Sequence, residues 1–200
     1  MSKGTGCKVN VEDLELPDDL KRCVEFHGHL CPGLAIGYCA AMLGMRELSA
    51  QRAGDEELIA IVENDTCAVD AIQVLTGCTF GKGNLFFRDH GKMVFTFATR
   101  ANGRSVRLRL RPINPPGIGD LPEDQRRRHQ VEFMLAHDPS EFFEVRKDAL
   151  ACLPSAARIR ESVPCAICGE MVMSTRLRPR ENKRICIPCD EDARKDSNTA

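Results

Sequence analysis

This 200-residue sequence predicts helices packed on an antiparallel sheet, followed by a separate small module held by cysteines. Three observations predict it. Apolar residues recur at helical spacing through much of the first 76 positions. In residues 105–111, Val106, Leu108 and Leu110 alternate with Arg107, Arg109 and Arg111, the two-residue period of a half-buried strand. Near the C-terminus two C-x-x-C pairs, Cys165/Cys168 and Cys186/Cys189, flank residues 169–185.

Composition narrows the function. A formal net charge of -1 gives no global attraction to nucleic acid or to an anionic membrane. The cysteine count is odd, at 11, and residues 1–10 are short and polar rather than a secretory leader. The expectation is a cytoplasmic protein whose thiols serve metal binding and chemistry. No apolar run approaches the roughly 20 residues of a membrane-spanning helix.

In chain order, residues 1–16 contain Gly4, Gly6 and a lone Cys7 without a role, and read as a flexible lead-in. Pro17 suits the first turn of a helix over 17–26, where Asp18 and Asp19 favour the positive end of the dipole. Pro32 opens a second helix, 32–52, with Gly33, Gly37 and Ala41 on one face. That face allows close packing inside the protomer or against a second copy. Cys39 within it reads as a small buried residue. The run Leu58-Ile59-Ala60-Ile61-Val62 is a buried strand, and 68–76 a helix turning Val69, Ile72 and either Leu75 or Val74 inward. Residues 77–84 form a glycine-rich loop. It departs from a phosphate loop because Gly77 and Gly81 are one residue too close, no Ser or Thr follows Lys82, and a helix precedes it.

Residues 85–88, 92–99 and 105–111 read as successive antiparallel strands, joined by Asp89-His90-Gly91 and Ala101-Asn102-Gly103 turns. The arginines of the last strand form a basic stripe, either solvated or a docking surface for an acidic partner. A Pro- and Gly-rich loop, 112–122, leads to two expected helices, 123–137 and 140–149, the second capped by Ser140. The main domain is expected over 17–150, a linker over 151–163, the cysteine module over 164–193 and a flexible tail over 194–200.

Four soft thiolates in two close pairs suit a closed tetrahedral zinc site, and Cys165, Cys168, Cys186 and Cys189 are its ligands in this reading. The metal there is structural, because four cysteines leave no open position. Arg176, Arg178, Arg180, Lys183 and Arg184 make the module locally basic, which keeps nucleic-acid contact as a minor alternative.

Chemistry outside the module centres on His27, His29, Cys31 and Cys67. Both cysteines sit where a helix is expected to begin, a position that favours the thiolate and so nucleophilicity or metal binding. Together with the histidines they suit zinc or another borderline metal, a second metal beside that of the finger. Cys78 is either a further thiol of this site or a buried loop residue. Asp70 and Gln73, on successive turns of one helix, orient a histidine, bind substrate or face solvent. In an enzymatic alternative Cys31 or Cys67 is nucleophile or ligand, a histidine is the base, and Lys82 or Gln73 holds substrate.

Three stretches then carry a resemblance: Phe26-His27-Gly28-His29-Leu30-Cys31-Pro32-Gly33, Asn64-Asp65-Thr66-Cys67-Ala68-Val69-Asp70-Ala71-Ile72-Gln73, and Thr76-Gly77-Cys78-Thr79-Phe80-Gly81-Lys82-Gly83-Asn84. In this order they resemble the FmdE family, which takes its name from a component of formylmethanofuran dehydrogenase, and the terminal cysteines resemble that family's auxiliary zinc finger. The resemblance runs over residues 20–189. It implies an α+β core, a C-terminal treble-clef finger, a homodimer, and a core pocket lined by His27, His29, Cys31, Cys67 and Cys78. It also implies an accessory protein of a molybdenum- or tungsten-dependent oxidoreductase, with that enzyme or a metal or pterin cofactor as partner.

Overall fold

The second helix is the axis of the main unit. In the computed structural model, which describes residues 8–10 and 14–197, α1 spans Asp18–His27 and α2 spans Pro32–Leu48. The helix α2 buries Leu34, Ala35, Ile36, Cys39, Ala40, Ala41 and Leu43, so it has core on most of its circumference. It ends at Leu48, short of residue 52, because Ser49 turns left-handed at φ 52°. Its small-residue face is used within the main unit itself. A Cβ on Gly37 would stand 2.1 Å from the carbonyl oxygen of Ala68, the first residue of the next helix. Only glycine permits that approach.

The five-stranded sheet has the order β2-β1-β3-β4-β5. Its strands are β1 (Leu58–Val62), β2 (Leu85–Phe87), β3 (Val94–Thr99), β4 (Ser105–Leu110) and β5 (Phe143–Lys147). Helix α3, Ala68–Thr76, connects β1 to β2, and α4, Glu123–Ala136, precedes β5. The protein is thus α+β, with a mainly antiparallel sheet. Phe95 and Phe97 of β3, Val106 and Leu108 of β4 and Phe143 of β5 join α2 in one core.

Two expectations fail here. The 85–88 and 92–99 segments are not hairpin partners: β1 lies between them, parallel to β2 and antiparallel to β3. The connection through Asp89-His90-Gly91 instead wraps the end of β1, where Arg88 N–H donates to the Val62 carbonyl (2.9 Å) and Lys92 N–H to the Glu63 carbonyl (2.9 Å). The helix expected over 140–149 is absent. Asp138 takes the capping role expected of Ser140, accepting its N–H at 2.8 Å. It caps only a single 3-10 turn, Pro139–Glu141. Phe143 and Val145 then alternate with Glu144 and Arg146 as a strand, paired with Leu110 and Leu108 across β4. Burial of Phe143 against Phe95, ring centroids 6.4 Å apart, outweighs the local cap signal.

The chain divides into units Met1–Ala156 and Ala157–Ala200. The start of the expected linker belongs to the first unit: Leu150 and Leu153 cover Ile59, Ile61 and Ala98 on the sheet's back face. Arg100 fastens this strap by donating to the Pro154 carbonyl at 2.8 Å. Part of the expected lead-in is also anchored, since Val9 is buried and bridges to Leu30. Cys7 lies outside the described residues.

The second unit has two hairpins, β6 (Ser162–Pro164) with β7 (Met171–Met173) and β8 (Arg178–Arg180) with β9 (Lys183–Ile185). Helix α5, Ile187–Ser197, follows and continues past the expected boundary at residue 193. Among the described residues no helix is long and apolar enough to cross a membrane.

Candidate metal centres

The turn after α1 builds the first centre. Gly28 takes φ 89° and returns its N–H to the Val24 carbonyl (2.7 Å), ending the helix at His27. The chain then extends to Cys31, the N-cap of α2, whose sulfur accepts the Leu34 N–H at 3.4 Å. Cys67 is the corresponding N-cap residue of α3. It is delivered by a turn in which the Asn64 side chain accepts the Thr66 hydroxyl (2.8 Å) and itself donates to the Lys92 carbonyl (2.8 Å). A Cβ on Gly33 would meet that of Cys67 at 3.1 Å, so the first turn of α2 lies against it.

One nitrogen of His27 and the sulfurs of Cys31 and Cys67 lie within 4.8 Å of one another. Nε2 of His27 is 4.0 Å from Cys31 Sγ, close to the roughly 3.6 Å edge that tetrahedral zinc bond lengths imply. The other ring nitrogen, Nδ1, lies 2.7 Å from Asp70 Oδ2. A carboxylate behind a ligating imidazole fixes its tautomer and raises its basicity. The donor set therefore fits a borderline divalent metal, with three protein ligands and one position open.

The remaining expected site residues separate. His29 stacks on His27, centroids 4.4 Å apart, outside the triangle. Burial, with His27 and Lys8 nearby, lowers its pKa. Cys78 is fully buried and donates to the Leu58 carbonyl at 3.3 Å. Burial pushes its thiol up to about 11, and its sulfur is not among the donors that converge with His27, Cys31 and Cys67. Lys82 spends its ammonium on the carbonyls of Ala53, Gly54 and Asp55 at 3.2–3.3 Å, fastening one loop to another instead of holding substrate or phosphate. Gln73 and Asp70 both line a cleft of about 430 Å³ that opens beside the triangle.

The lining of that cleft includes residues the motifs did not single out as site groups: Asn64, Asp65, Thr66, Phe80 and Phe87. The signal for Phe80 was present, a large apolar residue inside a loop of glycine and polar residues. Two of the three arginines of the basic stripe find partners within the chain. Arg107 binds Glu63 (3.2 Å) and Arg109 binds Glu144, which weakens its reading as a docking surface. Glu63 also meets His90 at 3.0 Å. Burial alone would raise its carboxyl, but His90 and Arg107 hold it below the usual range.

The second centre joins Cys165, Cys168, Cys186 and Cys189, again within 4.8 Å. The first pair sits in the β6–β7 loop. The second straddles the start of α5. Backbone N–H groups of Ile167 (3.4 Å) and Cys186 (3.3 Å) point at the Cys165 sulfur. Such N–H groups, from Cys186 above all, hold that thiol down at about 6. Cys168 and Cys186 sulfurs are 3.8 Å apart, the edge roughly expected of tetrahedral zinc-thiolate. Four converging thiols fit a closed metal site.

Residues 26–151 match the family model described as FmdE, Molybdenum formylmethanofuran dehydrogenase operon. A crystal structure of a tungsten formylmethanofuran dehydrogenase FmdE-like protein from Syntrophus aciditrophicus superposes with TM-score 0.66 at 22% identity, covering 93% of this chain and 97% of that one. A "Probable S-adenosyl-L-methionine-binding protein" of Archaeoglobus fulgidus is 29% identical over 194 residues, 85% of this chain. The chain spans about half of that relative's length, 52%.

Proposed function

The chain belongs to the FmdE family, and from that premise we propose a metal-binding accessory protein of a formylmethanofuran dehydrogenase-type or related molybdenum- or tungsten-dependent oxidoreductase. The observation that carries this reading is the convergence of His27, Cys31 and Cys67 with Asp70 behind the imidazole. In it the core holds a zinc-like ion with one open position. The C-terminal unit is a treble-clef finger whose zinc is structural, its four thiols leaving no position for a substrate. The protein works in the cytoplasm as a homodimer, and the ten described cysteines, all free of disulfides, suit a reducing compartment.

Metal content tests the assignment. The purified chain is expected to carry two equivalents of metal per chain, and His27→Ala to carry one with the finger still loaded. A wild-type chain holding a single equivalent, lost only on changing Cys165, would reduce the core to a pair of thiols and end the reading.

A second reading, a stand-alone enzyme using the same pocket, is favoured by one feature. Cys67 lies at the start of α3 on the cleft wall, where a small substrate could reach its sulfur. Nucleic-acid binding by the finger draws less support, because Arg178, Arg180 and Arg194 converge on the buried Asp190 at 2.9, 3.5 and 3.0 Å.

A further inference from the structure

The cleft beside the His27–Cys31–Cys67 triangle has a chemistry of its own. Its volume, about 430 Å³, falls in the range of roughly 300–1,000 Å³ used for small ligands. Val62 and Leu85 form an apolar wall, while Phe80 and Phe87, 75% and 46% exposed, stand at the same cavity. Burying such a ring is worth about 1.5–3 kcal/mol, and the described chain leaves that gain unused. Two aromatic rings in one lining suit a flat partner.

Charge narrows the class further. The lining contains the carboxylates of Asp65 and Asp70 and no Lys or Arg. Two thiolates cancel the charge of a divalent ion and the third donor is a neutral imidazole, so a loaded centre has no net positive charge for an anion. Phosphates and carboxylates are therefore poorly matched. Gln73 lines the cleft half-buried, and its amide makes no hydrogen bond to a described residue. It offers one donor edge and one acceptor edge.

We propose that this cleft binds an uncharged, flat heteroaromatic molecule. Its ring lies against Phe80 and Phe87, a polar edge meets Gln73, and a nitrogen, oxygen or sulfur donor faces the open position of the metal held by His27, Cys31 and Cys67. This rests on the metal reading of the core given above.

The test uses the full chain loaded with cobalt(II), the core bands being those that differ between wild type and His27→Ala. Three probes share one ring: 4-phenylimidazole, which is neutral, and benzoate and phenyl phosphate, which are anions. The neutral probe is expected to shift the core bands at a concentration about tenfold lower than either anion. The Phe80→Ala/Phe87→Ala double variant is expected to weaken it about tenfold at unchanged cobalt content. Equal or tighter binding of an anion overturns the proposal. So does neutral binding that ignores both rings, or a double variant that changes self-association instead, which would make the rings an interface with a second copy. If His27→Ala leaves the cobalt spectrum unchanged, the metal reading itself falls. A His27-dependent spectrum that no neutral probe perturbs removes only the ligand.

Discussion

The two cysteine centres have similar donors and opposite relations to their surroundings. In the finger the ligands come in local pairs, and the apolar cluster around them is small: Cys165, Ile185 and Cys186 are buried, with Val172 and Cys189 alongside. Too little surface is buried there to hold hairpins and a helix together without the metal. In the main unit the converging donors come from α1 and from the starts of α2 and α3, elements already fixed by an extensive core. In the proposed reading the finger is organised by its ion. The core site is organised by the fold, and any ion it holds arrives at a geometry already built. The two proposed metals therefore differ in what would remain after their removal.

Cys165→Ser tests the larger half of this contrast. Structural zinc supplies apparent binding free energies of about 10–16 kcal/mol in isolated fingers, so the variant is expected to lose the finger's fold as well as its metal. Amide exchange should show residues 157–197 unprotected and the sheet unchanged; a finger that stays protected would place its stability elsewhere.

The core breaks through packing instead. Gly37→Ala puts a methyl into the Ala68 carbonyl, and a loss of about 1–3 kcal/mol is expected, read as a lower denaturation midpoint of the main unit alone. Should the midpoint hold, the α2–α3 approach is more compliant than its geometry indicates.

Asp70→Asn leaves both folds intact in this view and weakens core metal about 10–100-fold, the usual effect of altering a carboxylate behind a ligating histidine. A competition assay against a chelator would measure it, and equal affinities would detach Asp70 from the site. Cys78→Ala is the matched control, expected to cost stability of order 1 kcal/mol and no metal.

The smallest effect is on the acid side. The Glu63 carboxyl lies below its ordinary value, so its contribution is present above the unfolded value of about 4.5 and disappears as pH falls through the lower folded one. Urea midpoints of Glu63→Gln and wild type should differ at neutral pH and converge in that acid window; a constant gap would show that its charge is not involved.

Legibility followed the range of the forces. The helix over 68–76 and the strand over 58–62 coincide with α3 and β1, because their apolar periodicity is a local record of burial. The four cysteines that converge in the second unit were visible as spacing alone. The Phe142-Phe143-Glu144-Val145-Arg146 stretch misled because Asp138-Pro139-Ser140 carries a helix-start signal that extends one turn, while the partner that makes it a strand, β4, lies more than thirty positions earlier. Lys82 misled similarly, since its carbonyl partners belong to a distant loop.

By itself, then, the sequence determined the donors: two C-x-x-C pairs, a His-Gly-His-Leu-Cys segment and a second helix-initial cysteine, each recognisable from residue type and spacing. Only the tertiary structure decided which of them meet. It turned His27 rather than His29 toward Cys31 and Cys67, set Asp70 behind that ring, and withdrew Cys78 into the core. The physical reason is that convergence of α1, α2 and α3 depends on glycine-lined contacts and sheet order, interactions between residues far apart in the chain that no local pattern records.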